Sequence, residues 1–105
     1  MYEYPARLIR CVDADTVVLD LDLGFYQWRL GQPYRLLRIN APELSTAAGK
    51  TAKVALETFL SGKSLLGQTQ KSDSFGRFLI ELFANGENTS DWLVANKYAT
   101  YQVYK

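Results

Sequence analysis

Three strands, a helix, two further strands and a short second helix are the elements the sequence predicts, in that order, and this is an α+β order. A helix between the third and fourth of five strands is the order of an OB-fold five-stranded β-barrel. Three observations carry the expectation: alternating polarity over residues 17–23, an apolar stripe at helical spacing over 48–60, and Gly, Pro, Asn and Asp between the segments. With 105 residues, 48% of them hydrophobic and 22% charged, the chain is expected to form a single domain, 1–105, around one modest core.

The first strand covers residues 4–12, loosely alternating, and Asp13-Ala14-Asp15 makes a tight bend because Asp favours turns and disfavours strands. The second strand follows in TVVLDLDL. From Val17 to Leu23, Leu19, Leu21 and Leu23 fall on one face and Asp20 and Asp22 on the other, predicting a half-buried strand with the aspartate face in solvent. Gly24 opens an aromatic excursion, FYQWRLGQP, in which Gly31 and Pro33 favour a bend or irregular hairpin. A third strand is expected from Tyr34 to Ile39, stopped by Pro42, which has no N–H for a ladder.

Ser45 or Thr46 can cap a helix running to about Ser61, with Ala48, Ala52, Ala55, Leu56, Phe59 and Leu60 as its apolar stripe and Gly62 as its stop. Strands around Ser64 to Gln70 and from Arg77 to Ala84 flank the turn-rich KSDSFG, and Asn85-Gly86 makes another turn. Thr89 or Ser90 can cap the last helix, DWLVANKYA.

The composition also excludes chemistries. A formal charge of +1 is not the strongly basic balance of many nucleic-acid binders, so attraction to phosphate must come from local charges. Cys11 stands alone, which removes intramolecular disulfides and cysteine-based zinc clusters. Without histidine, serine–histidine and cysteine–histidine catalysis and the usual zinc sites are gone, so an enzymatic base would be a carboxylate and a metal would be bound by oxygen. No stretch approaches the roughly 20 apolar residues of a membrane span, and the N-terminus has no long apolar segment, so a cytoplasmic chain is expected, with no membrane association.

The remaining candidates are carboxylates and arginines at turns and strand ends: Asp15 in VDADTV, Arg35 and Glu43 in RLLRINAPE, and Arg77 in DSFGR. Phosphodiester hydrolysis needs a base to deprotonate water and cations to hold charge on the phosphate oxygens. A glutamate, two arginines and a hard divalent cation would meet those needs, and arginine's planar fork suits phosphate better than lysine. Asp15, the Asn40 side-chain oxygen and a nearby backbone carbonyl are hard donors suited to Ca²⁺ or Mg²⁺.

VDADTVVL, RLLRINAPE and DSFGRFLIELFANG, in that order, resemble the signature stretches of the staphylococcal nuclease (thermonuclease-like) family over nearly the whole chain. The resemblance implies an OB-fold endonuclease with calcium-dependent phosphodiesterase activity on DNA and RNA, leaving 3′-phosphate ends. It implies Glu43 as general base, Arg35 and Arg77 on the scissile phosphate, and Asp15 and the Ala41 carbonyl as calcium ligands. Asn40 stands where the best-known members carry a second calcium-ligating aspartate, and one formal charge fewer predicts weaker metal binding with coordination retained. Phe75 stands where those members have a tyrosine, keeping an aromatic face for substrate without the hydroxyl, and Tyr104 is a further base-contact candidate. Calcium is the expected cofactor, with magnesium second, and a monomer the expected state.

Each feature also has a plainer reading. Asp-Ala-Asp can be only a hairpin turn, Arg35 an arginine on an exposed strand face, and Glu43 a residue of a first helical turn. Arg35 and Arg38 fall on opposite faces of a regular strand, which leaves Arg38 structural or peripheral. Phe25, Tyr26 and Trp28 can cover the barrel end or form a partner surface. A domain that binds nucleic acid or a protein partner without cutting is the alternative.

Overall fold

A computed structural model describes residues 2–70 and 78–102. Among the described residues, eight strands and two helices run in the order β1 (Tyr2–Asp13), β2 (Thr16–Gly24), β3 (Gln27–Leu36), β4 (Ile39–Asn40), α1 (Ala47–Leu60), β5 (Leu65–Gln70), β6 (Phe78–Ala84), β7 (Glu87–Asn88), α2 (Thr89–Ala95) and β8 (Thr100–Tyr101). The long strands hydrogen-bond in the order β3-β2-β1-β5-β6, and a parallel pairing of β3 with β6 closes them into a five-stranded barrel. With α1 between β3 and β5, this is the predicted OB-fold architecture. Among the described residues no helix is long and apolar enough to cross a membrane.

β1 serves two partners, pairing through Tyr2–Ala6 with β5 and through Ala6–Asp13 with β2. Register shifts between Leu8 and Arg10 and between Cys11 and Asp13 interrupt the second pairing, as bulges do where a strand curves round a barrel. Leu19, Leu21, Leu36, Ile80 and Leu82 are fully buried inside, with Leu56 and Phe59 of α1 in the same cluster. Gly67 on β5 makes room for this packing, since a Cβ there would lie 2.6 Å from Ile80 Cδ1.

The solvated aspartate face expected for β2 is half wrong. Burial is continuous from Val17 to Leu21, and Asp20 is only 5% exposed, whereas Leu23 lies open to solvent. The cause is the partner strand. A register shift opposite Asp20 brings the Gly31 amide onto Asp20 Oδ1 (2.7 Å), and Arg7 reaches Oδ2 (2.9 Å) from the other side. Both contacts hold the Asp20 carboxyl below the usual carboxylate range, the arginine most strongly.

The third strand begins seven residues earlier than expected, at Gln27, and ends at Leu36. The excursion is therefore the outer half of a long β2–β3 hairpin. Its two-residue turn, Phe25-Tyr26, has φ values of 55° and 60°, a left-handed pair matching the right-handed twist of hairpin strands. Phe25 and Tyr26 project into solvent and do not cover the barrel end, while Trp28 carries the Arg7 guanidinium 4.8 Å above its ring.

α1 is capped by Thr46, whose hydroxyl accepts from the Gly49 amide (3.0 Å). Its buried stripe contains Gly49 and lacks Ala48, which is exposed. Asn88, not Thr89 or Ser90, caps α2, because its side chain reaches the Asp91 amide (3.0 Å) while both hydroxyl residues are buried within the helix's first turn. The last long strand begins at Phe78; Arg77, Phe75 and Tyr104 lie outside the described residues.

Candidate active site

The β1–β2 bend does more than reverse the chain. Asp13 Oδ1 accepts from the Asp15 amide (3.0 Å), a local turn bond that fixes the bend. The Asp15 carbonyl accepts from Leu36 N (2.8 Å), which ties the bend to the end of β3. The Asp15 side chain thereby points at two separate segments. Its Oδ2 lies 3.3 Å from Arg35 Nη1 and 3.2 Å from the Ala41 amide that donates to it. The bend thereby meets the 35–41 stretch, more than twenty residues on at Ala41, through one carboxylate oxygen.

Arg35 is not an arginine on an open strand face: it is 8% exposed, and Nη1 also donates to the Leu36 carbonyl (3.1 Å). A guanidinium so enclosed needs compensating acceptors, and Asp15 supplies the charged one. Arg38 is separated from it by geometry as well as by strand face. It sits in the β3–β4 turn at φ 68°, gripping Glu81 with Nε and Nη2 (2.7 and 3.3 Å) and Asp91 with Nη1 (3.0 Å). Its role is to hold that turn against β6 and α2. Tyr101 joins the same cluster by donating its hydroxyl to Asp91 (2.9 Å).

The Asp15 carboxyl is pushed up to about 6, chiefly by burial and by a hydrogen bond with the Asp13 carboxyl, against the pull of Arg35 and the Ala41 amide. Two carboxyls close enough to share a proton in a half-buried place are a setting that a divalent cation relieves. Asp13 is the residue that sequence reasoning passed over; its signal was its place as the first aspartate of the same Asp-Ala-Asp. Asn40 is exposed, its backbone paired with Thr100 in the β4–β8 ribbon. Among the described residues no three His, Cys, Asp or Glu side chains gather for a metal. The donors present are hard oxygens and fit calcium or magnesium with the rest of the shell left to water or phosphate.

Glu43 is exposed, two residues beyond the Ala41 amide that touches Asp15. It precedes the helix cap by three residues, so it is not a first-turn helix residue. Its carbonyl accepts from both the amide (3.0 Å) and the hydroxyl (2.7 Å) of Thr46. Because the same hydroxyl accepts from Gly49 N, one side chain both caps α1 and anchors the Glu43 backbone. Gly49 is required for the approach: a Cβ there would overlap the Glu43 carbonyl and lie 3.0 Å from Leu44 Cα. Beside this loop, Asn40, Ala41 and Pro42 face Lys97 and Thr100 across a shallow cavity of about 280 Å³.

The parallel pairing of β3 with β6 sets Arg35 opposite Leu79 and Tyr34 opposite Phe78, the residue directly after Arg77. A comparison with curated proteins finds no match. A comparison with protein families matches residues 33–105 to the model described as staphylococcal nuclease homologue, a match that contains Arg35, the 40–43 loop, both helices and the two strands that complete the barrel. The match spans well over half the sequence and agrees with the barrel topology, and the chain belongs to the staphylococcal nuclease homologue family.

Proposed function

We propose that the protein is a metal-dependent nuclease hydrolysing phosphodiester bonds of DNA or RNA. The observation that carries the reading is the junction at Asp15 Oδ2, where a half-buried carboxylate, a buried arginine and the start of the Glu43 loop converge. Asp15, the Asn40 side-chain oxygen and the Ala41 carbonyl would hold a calcium ion. Calcium, when bound there, supplies positive charge to a phosphate oxygen and polarises the phosphorus for attack.

The remaining chemistry belongs to the chain. Glu43 takes a proton from water, and the resulting hydroxide attacks phosphorus as the bond to the 5′ oxygen breaks; that oxygen takes its proton from surrounding water. Arg35 and Arg77 hold the equatorial oxygens as charge grows on them. The clamp from Thr46 and Gly49 fixes the backbone that carries Glu43, the kind of positioning on which such rates depend.

A second reading, binding without cleavage, draws on Asn40, which brings no charge to the metal. Cleavage of single-stranded DNA and RNA oligonucleotides in calcium, in magnesium and in chelator, by the native protein and by Glu43→Gln and Arg77→Ala, separates the two. Metal-dependent cleavage lost in both variants is expected. Absence of cleavage under every metal, or full activity in both variants, rejects the nuclease reading.

A further inference from the structure

The outer half of the β2–β3 hairpin gathers Leu23, Phe25, Tyr26, Trp28 and Leu30 within eight positions, all of them exposed. Phe25 is 95% exposed and Tyr26 wholly so. At about 150–250 Å² for an aromatic side chain, the three rings leave about 500 Å² of apolar surface open, already near the most that a monomer commonly shows in one patch. Leu23 and Leu30 carry it further, towards the roughly 800 Å² that each partner gives to a stable interface. None of the five is a candidate catalytic or metal residue, and all precede the residues matched to the family.

The turn at the tip points the same way. Its left-handed φ pair is one that Asn-Gly supplies without strain and that bulky side chains rarely adopt. A turn that only reversed the chain would have no use for two rings there. The strand behind it is also open along one side: among the described residues, β3 pairs with β2 alone from Gln27 to Pro33 and meets β6 only from Tyr34 onward. Edge backbone of this kind is a template for a further strand.

Charge selects what covers it. Residues 22–30 carry one negative group, Asp22, and one positive, Arg29, while Arg7 beside Trp28 is paired with Asp20 at 2.9 Å. An anionic lipid surface calls for an excess of Lys and Arg around the rings, and the hairpin supplies none. A neutral apolar edge is complementary to itself, and two copies of one strand related by a two-fold axis run antiparallel, as a ladder between them requires. In place of the monomer expected from sequence, we propose that the protein forms a two-fold homodimer through the outer edge of β3, with Phe25, Tyr26, Trp28 and Leu30 buried between the copies. With Trp28 at the axis, Arg29 falls opposite Gln27 of the second copy and Tyr26 opposite Leu30, so no like charges meet.

The test is molar mass by light scattering after gel filtration. At about 100 µM, above the micromolar limit for interfaces of standard area, the native protein should show twice the mass of one chain. Phe25→Asn combined with Tyr26→Gly installs the favoured turn pair, so the hairpin still closes and the far-UV signal is kept, and this variant should be a monomer. Leu30→Lys puts a charge on the exposed edge, away from the turn, and should weaken the dimer at least tenfold. A native protein that is monomeric at that concentration, or a dimer that survives either change unweakened, overturns the proposal. A monomeric native protein that sediments with phosphatidylserine vesicles, and loses that binding with the turn substitution, assigns the hairpin to a membrane surface and overturns it as well.

Discussion

Replacing Gly49 by alanine isolates the positioning of Glu43 from the stability of the fold. The added Cβ overlaps the Glu43 carbonyl, and both sides of that contact are backbone, so the 43–46 segment must move away from α1. Two hydrogen bonds to the Glu43 carbonyl are then lost or lengthened, those from the Thr46 amide and hydroxyl. At about 1 kcal/mol each they cost about 2 kcal/mol. Alanine returns about 1 kcal/mol because it is the better helix former. The net destabilisation is about 1 kcal/mol, read in thermal unfolding as a fall of about 4–8 °C for a domain of this size. Cleavage should suffer far more, since a displacement of about 1 Å in a catalytic group costs about 100-fold in rate. Ala48→Gly is the matched control: it sits one residue away on the exposed face and costs about 1 kcal/mol through propensity alone. Measured kcat and melting temperature together decide the matter. A Gly49→Ala protein with native kcat, or one whose kcat falls no more than that of Ala48→Gly, refutes the clamp.

Three further outcomes follow from the charges. Because the folded Asp15 carboxyl sits at about 6, above its unfolded value, the folded state binds more protons between about pH 4 and 6 and stability falls as pH rises through that window. Urea unfolding without metal should find native stability falling between about pH 4 and 6 and that slope absent in Asp15→Asn, which also leaves Arg35 without its charged acceptor, and calcium should raise the native midpoint more than the variant's. On the acid side the sign reverses: Asp20 and Asp91 are held low chiefly by hydrogen bonds from Arg7 and Arg38, so their contribution is present above the ordinary carboxylate range and lost as pH falls through their lowered folded values. Asp20→Asn should flatten the acid limb of a melting-temperature profile. Arg38→Ala should cost about 1–2 kcal/mol in chemical denaturation, through the lost pairs with Glu81 and Asp91. Arg38→Gly should lose about 1 kcal/mol less, because glycine accepts φ 68° without strain.

The barrel order could be read from the sequence because it is written in short-range signals: the bend at Asp13-Ala14-Asp15, the helical stripe ending in Phe59 and Leu60, and Asn85-Gly86 between β6 and β7. What escaped was set by partners distant in sequence. The burial of Asp20 depends on a bulge eleven residues away at Gly31. Arg35 is enclosed because the Asp15 bend, tied to Leu36 at the end of β3, packs against it, although a strand pattern alone offers an arginine to solvent. The need for Gly49 arises only from the fold, where the Glu43 carbonyl occupies the space its missing side chain leaves. At α2 the error was local, since three good capping residues stand in a row and only tertiary packing, which buries Thr89 and Ser90, selects Asn88. Of the site residues named from sequence, Asp15, Arg35 and Ala41 are joined by direct contacts.

The seam between β3 and β6 has a consequence for the time course of folding. It consists of three residue pairs, Arg35 and Leu79 in the middle, and it joins segments more than forty positions apart. Contacts this distant must meet a large loop-closure entropy before they are rewarded, so closure of the seam belongs among the late events. Yet Arg35 reaches its buried position only once β3 is fixed there. A chain with its hairpins formed but the seam open would present a nearly complete fold with a scattered site. In a refolding experiment, recovery of cleavage should therefore lag recovery of strand signal and coincide with the slowest conformational phase, making the reaction itself a clock for barrel closure.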